Sequence, residues 1–132
     1  MAALMQFNLV SPERRVASLQ ATEVQIPATD GDMTAMADHS PLITTLRPGV
    51  LTVISPDGET KYAVTGGFAE ITAEGTSVLA EQAMLLSDLT ADMFKVMSDE
   101  AEQAKTSASP EQTDVAAKYA ADIAVLGQQV GL

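Results

Sequence analysis

The stretch VLTVISPDGETKYAVTGGFAEIT, residues 50–72, decides how the rest of the chain is read. Three runs rich in β-branched and aromatic residues, VLTVIS, ETKYAV and FAEIT, are separated by Pro56-Asp57-Gly58 and by Gly66-Gly67. Short runs of that composition bounded by turn-formers are strands. Asp57-Gly58 is the strongest hairpin signal, because a primed two-residue turn needs positive φ. Further breaks at Ser11-Pro12, Asp30-Gly31, Ser40-Pro41, Pro48-Gly49 and Glu74-Gly75 continue the pattern. Between Met5 and Glu81 they recur about every 8–12 residues, the rhythm of a β-sandwich or barrel.

Upstream, RVASLQATEVQI (residues 15–26) holds a conflict of parity. Ala17, Leu19 and Ala21 share one face of an extended chain, whereas Val24 and Ile26 share the other. A uniform strand would turn one apolar set to solvent. A bulge or bend is therefore expected near Ala21–Glu23.

After about Ser87 the period changes. Leu89, Met93, Val96 and Met97 form one helical stripe, with Asp88 and Asp92 at its start and Lys105 near its end, as the helix dipole favours. Ser109-Pro110-Glu111-Gln112 reads as an N-cap, a first-turn proline and a capping-box glutamine. Ala116, Tyr119, Ile123, Leu126 and Val130 then recur at helical spacing. The two helices, joined by a short polar loop, are expected to form an antiparallel hairpin. Alanines thin its seam, so light docking on the sheet is expected.

Composition sets the limits. The 132 residues suffice for one ordinary domain, or a small domain with an appendage. Cysteine is absent, which removes disulfides and thiolate metal sites. A net charge of −11 opposes binding to nucleic acid or anionic lipid. The opening MAALMQFNLV lacks the pattern of a secretory signal, and no apolar run reaches the ~18 residues of a membrane span. A soluble chain is expected, held near a membrane only through another protein.

Chemistry-bearing residues are sparse. His39 is the single histidine, and it precedes Ser40-Pro41-Leu42. A catalytic base needs a partner and a nucleophile, and a metal needs further ligands. A structural turn role or a polar interface contact is the better reading for His39. Asp30-Gly31-Asp32 has the start of a calcium loop but not its third acid or its bidentate glutamate, so an exposed acidic turn is expected. Gly66-Gly67 lacks the third glycine and the helix of a phosphate loop, leaving a tight turn. Asp99, Glu100 and Glu102 belong to a solvated helix face. No catalytic residue, metal site or cofactor is expected.

One segment is more specific than composition. His39-Ser40-Pro41-Leu42-Ile43-Thr44, then Arg47-Pro48-Gly49, fits H-x-P-L-[IL]-T-x-[IL]-[KR]-P-G-x-[IL]. With the acidic turn, the Gly-Gly leading to Ala69-Glu70-Ile71, and the terminal helices, the chain resembles the ε subunit family of the F-type ATP synthase (δ in mitochondrial naming). The resemblance implies a mainly β protein with α: a flattened ten-stranded β-sandwich, residues 1–86, followed by an antiparallel two-helix hairpin, residues 87–132. It implies a non-catalytic place in the central stalk. The partners would be the γ subunit and the ring of c subunits, with the α and β subunits reached through the hairpin. Asp30, Gly31 and Asp32 would meet the ring; His39, Pro41 and Leu42 would lie in the segment facing γ and the ring. The implied location is peripheral, on the cytoplasmic side of a bacterial inner membrane.

The chain also departs from that pattern. The family's G-[IL]-x-P-G-H is here Thr34-Ala35-Met36-Ala37-Asp38-His39. ATP-binding members carry [IL]-D-x-x-R-A, whereas this chain has Leu89-Thr90-Ala91-Asp92-Met93-Phe94. A methionine cannot clamp a phosphate, so no ATP site is expected. Lys118 is the single cation of the second helix, which predicts weak self-inhibition or none. A second reading is a regulatory nucleotide-binding module whose hairpin closes over a ligand. A third, an enzyme, would need a convergent polar pocket, for which one histidine and no cysteine offer little material.

Overall fold

The computed structural model describes residues 3–131. Ten strands come first: β1 (Met5–Val10), β2 (Arg15–Ala21), β3 (Glu23–Ala28), β4 (Gly31–Met36), β5 (Leu42–Thr45), β6 (Gly49–Ser55), β7 (Gly58–Thr65), β8 (Phe68–Ile71), β9 (Gly75–Leu79) and β10 (Gln82–Leu85). A 3-10 turn, Leu86–Asp88, leads into α1 (Ala91–Ser107) and α2 (Thr113–Val130). The strands form two five-stranded sheets, ordered β2-β1-β9-β8-β5 and β10-β7-β6-β3-β4. The expected sandwich and helical hairpin are both present, and strand structure runs one element past Glu81.

Strict alternation builds the core. Met5, Phe7 and Leu9 of β1 point inward, as do Leu51 and Val53 of β6, Tyr62 and Val64 of β7, and Ala69 and Ile71 of β8. The parity conflict resolves at Thr22, inside the expected interval. The chain does not bulge there but changes sheet: β2 pairs with β1, and β3 pairs with β4 and β6. Thr22 secures the crossing, its amide and hydroxyl both donating to the Ile54 carbonyl, at 2.7 and 3.0 Å. One register is parallel, Gln6 to Val10 of β1 lying beside Gly75 to Leu79 of β9.

Two turns differ from the sequence expectation. The β6–β7 hairpin lies where expected, but its loop is Pro56-Asp57, closed by the pair Ser55 and Gly58. Proline cannot take positive φ, so the primed turn is not formed; the positive φ, 128°, falls on Gly58 at the closing position. The second helix begins at Thr113 rather than at Pro110, and its N-cap, Gln112, makes no side-chain capping bond. Instead the Ser109 carbonyl accepts from the Gln112 amide and the Thr113 hydroxyl, both at 2.9 Å.

The hairpin packs through a different face of α1 than the stripe predicts. Met93 and Val96 are exposed, while Phe94, Met97 and Ala101 meet Ala120, Ile123 and Tyr119 of α2. Gly127 makes this possible, because a Cβ there would overlap the Phe94 ring. α2 lies against β6 on the outer face of the second sheet. There Thr52, Ala63 and Thr65, of opposite parity to the core residues, are buried. Burial is the main cause holding the Tyr119 phenol above its ordinary range; Thr65 opposes the shift, and the charges of Glu81 and Glu100 add to it.

Candidate functional site

The acidic turn is the tip of the β3–β4 hairpin. Ala28 pairs with Gly31, leaving Thr29-Asp30 as the two-residue loop, and Gly31 takes φ 136°. Asp30 and Asp32 are both exposed, but they are not equivalent. Arg47, from the crossing between β5 and β6, pairs with the Asp32 carboxylate. Its other guanidinium nitrogen donates to the Ala28 carbonyl at 2.5 Å, and its amide donates to the Pro27 carbonyl at 3.0 Å. Asp30 has no ion-pair partner among the described residues.

His39, Pro41 and Leu42 lie at the far end of β4. The six residues of β4 span five steps of ~3.3 Å, which puts roughly 17 Å between the two candidate segments, so they do not form one site. The turn before His39 is held by Asp38, whose amide donates to the Ala73 carbonyl at 3.1 Å. Asp38 has φ 66°, the left-handed conformation that glycine would take at that place in the family's pattern, and aspartate tolerates it. His39 Nδ1 donates to the Ser40 carbonyl at 2.6 Å, and the ring ends a turn that leads into β5. Pro41 and Leu42 are exposed on the edge of the first sheet.

A surface the sequence reading missed lies on the outer side of that sheet. Phe68 pairs with Leu79, and Leu79 pairs with Val10 across the parallel join. Phe68 and Leu79 are 41% and 44% exposed and adjacent, a contiguous apolar patch rather than scattered residues. With Pro12 they line an apolar groove of about 310 Å³. Ile43, 66% exposed, faces the same side, paired with Glu70. Alternation did carry a signal, since Phe68 and Ala69 of FAEI cannot both be core. Next to the groove, Arg14 in the β1–β2 turn and Arg15 at the start of β2 make no ion pair among the described residues. The remainder of this outer face is polar: Gln6, Asn8, Ser18 and Gln20 hydrogen-bond to one another.

A cleft of about 490 Å³ separates α2 from the second sheet, with Arg47, Lys61, Asp32 and Asp122 among its lining residues. Each cation there has a carboxylate partner, Asp32 for Arg47 and Glu59 for Lys61. At the head of α1, Thr90 is the N-cap, its hydroxyl accepting from the Met93 amide at 3.1 Å. The methionine that stands in the ATP-binding frame's arginine position projects as an exposed apolar side chain. No helix among the described residues is long and apolar enough to cross a membrane.

The family described as ATP synthase, Delta/Epsilon chain, beta-sandwich domain matches residues 4–86. An ATP synthase epsilon chain of Jannaschia sp. is 54% identical over 92% of this chain and 92% of its own length. That of Rhodobacter capsulatus is 50% identical over the whole of both chains, and that of Paracoccus denitrificans is 45% identical over 100% of this chain and 94% of its own. Among solved structures, a chain of the Euglena gracilis mitochondrial ATP synthase (OSCP, F1 and c-ring) superposes with a TM-score of 0.75 at 19% identity, covering 98% of this chain and 82% of that one. A chain from the central stalk and c-ring of the Tetrahymena thermophila enzyme gives 0.59 at 12% identity, over 88% and 96%. At such identities these two show a shared fold. The match across the sandwich and the full-length relatives lead to one conclusion: the chain belongs to the ATP synthase delta/epsilon family.

Proposed function

We propose that this chain is a non-catalytic rotor subunit of a proton-translocating F-type ATP synthase. Its sandwich, residues 1–86, grips the γ subunit and rests on the c-ring, so that proton flow through the ring is coupled to ATP synthesis. The helical hairpin, residues 87–132, is the lightly attached part. The observation that carries the reading is full-length identity of 50% to an ATP synthase epsilon chain. The surface supports it: the groove of Val10, Pro12, Phe68 and Leu79 supplies an apolar contact. Burying exposed apolar area contributes about 25 cal/mol per Å², so such a strip suits a lasting partner. The acidic tip supplies steering toward positively charged loops, an effect on encounter and register more than on affinity. The subunit would be peripheral, on the cytoplasmic side of a bacterial inner membrane.

A pull-down of the tagged full chain from native membranes tests the whole reading. Recovery of γ and c subunits in fixed proportion is expected; recovery without them would overturn it. Removing 88–132 is expected to leave ATP hydrolysis by the complex nearly unchanged, because Lys118, the single cation of α2, is already paired with Asp122 at 2.7 Å. A several-fold rise would show that the hairpin acts as a brake.

A further inference from the structure

We propose that Asp57-Gly58, in the turn of the β6–β7 hairpin, is a site of spontaneous covalent modification. Asp57 isomerises there to isoaspartate, while the chain's second Asp-Gly pair, Asp30-Gly31, is held back by the structure around it.

The chemistry needs a carboxyl group followed by an unhindered amide. Glycine has no Cβ to shield its nitrogen, so the Gly58 nitrogen can close on Asp57 Cγ. The N–Cγ bond forms, and the carboxyl hydroxyl leaves with the amide proton as water. The product is a five-membered succinimide ring. Water then returns and breaks one of its two C–N bonds. Breaking N–Cγ restores aspartate. Breaking the original peptide bond leaves Gly58 joined through the side-chain carbonyl, with the former main-chain carbonyl as a free carboxylate. One water leaves and one enters, so no oxidant or second substrate is consumed.

The two pairs occupy the same place in their hairpins. Pro56-Asp57 and Thr29-Asp30 are the loops, closed by Ser55 with Gly58 and by Ala28 with Gly31. Both aspartates and both glycines are exposed. A Cβ built on either glycine would meet nothing within 4 Å, so both sites have room for the ring.

What separates them is how the loop is tied. The Asp57 amide donates to Ser55 Oγ, and the Ser55 hydroxyl donates to the Gly58 carbonyl, each at 3.3 Å. Both are longer than the ~3.2 Å limit of a well-made bond, and both lie within the loop itself. The Asp30 loop is fastened to the neighbouring crossing. The Thr29 amide donates to the Thr45 carbonyl at 2.9 Å, the two threonine hydroxyls lie 2.8 Å apart, and Arg47 holds both the Ala28 carbonyl and the Asp32 carboxylate. Ring closure requires the aspartate to swing until nitrogen meets Cγ, so it proceeds through local opening of the turn. A loop tied only to itself opens more often than one tied to a second strand. The inserted main-chain carbon falls outside the Ile54–Glu59 pair, so the turn is altered while the ladder beyond keeps its register.

The full-length chain, kept for weeks at neutral pH in heavy-oxygen water and then digested, tests this. Isoaspartyl peptides elute apart from aspartyl ones and retain the heavy oxygen. Asp57 is expected to convert at least about fivefold faster than Asp30 in the folded chain, and at a similar rate in denaturant. Equal rates in the folded chain, or faster conversion at Asp30, would overturn the proposal. A ratio that persists in denaturant would overturn it too, since the cause would then be residue order and not the fold. Ser55→Ala is expected to raise the Asp57 rate and Arg47→Gln the Asp30 rate, each by about threefold or more. Unchanged rates would remove the loop ties as the cause. Asp57→Glu, which must close a less favoured six-membered ring, is expected to abolish the product; a product that survives it would place the modification elsewhere.

Discussion

Between the two sheets, Phe7, Leu9, Leu51, Val64, Ile71 and Val78 have no exposed surface; between the two helices, the buried contact is Ala101, Ala120 and Ile123, with Phe94, Met97 and Tyr119 only partly covered. Both regions are built from apolar residues at the right period, yet they differ in what each residue removes from water. A fully buried phenylalanine or leucine is worth about 1.5–3 kcal/mol, whereas an alanine contributes a fraction of that. Ordering the backbone costs about 1–2 kcal/mol per residue in either place. The difference teaches that the sandwich is held by many fully buried large side chains, while the hairpin relies on few, chiefly Ile123 and Leu126.

The contrast can be broken most forcefully at Phe7. Phe7→Ala is expected to cost about 3–5 kcal/mol of global stability, seen as one cooperative loss in denaturant unfolding. Loss of only the hairpin signal would contradict the assignment of the core. Gly127→Ala is the hairpin counterpart. The new methyl must displace the Phe94 ring, at a cost of about 1–3 kcal/mol. Faster amide exchange in α1 and α2 is expected, with the midpoint for the sandwich unchanged. A matching fall in sandwich stability would mean that the two regions unfold as one. Thr90→Ala removes the N-cap of α1 and should cost about 1 kcal/mol of that helix, again read by exchange near Met93.

The smallest effect concerns the seat of α2. Burial raises the Tyr119 phenol above its ordinary 10.0, so in alkali the unfolded chain ionises before the folded one does. Its contribution is complete below that value and is lost as pH climbs through the folded pKa. Thermal unfolding between about pH 9 and 11 should show a downward step that is shallower in Tyr119→Phe. Tyr62, also raised by burial, retains its part of the step, since it belongs to the sandwich. An unaltered profile in the variant would remove Tyr119 from the account.

Much of the strand architecture could be read from residue order, because alternation and turn chemistry are local. The break near Thr22 was legible for the same reason: a change of parity is visible without knowing where the second sheet lies. The α1 face was not legible. Apolar residues sit side by side at Met93-Phe94 and again at Val96-Met97, so two stripes share one period. What selects between them is the space that Gly127 leaves on α2, more than thirty residues away in the chain. The tip shows the same limit. Asp30-Gly31-Asp32 could be recognised as an exposed acidic turn, but nothing adjacent reveals that Arg47 neutralises one of its two charges. The apolar groove was hidden too, since the parallel neighbour of Val10 comes from the other end of the sandwich.

That parallel join between β1 and β9 also sets a timetable for biosynthesis. As the nascent chain leaves the ribosome, β1 finds β2 at once, but its other edge stays open until residues 75–79 have been made. Pairings of such long sequence separation form late and leave strand edges exposed in the interval. The same join that ties the beginning of the chain to its ninth strand therefore leaves any truncation before residue 75 with an open β1 edge, a template for aggregation.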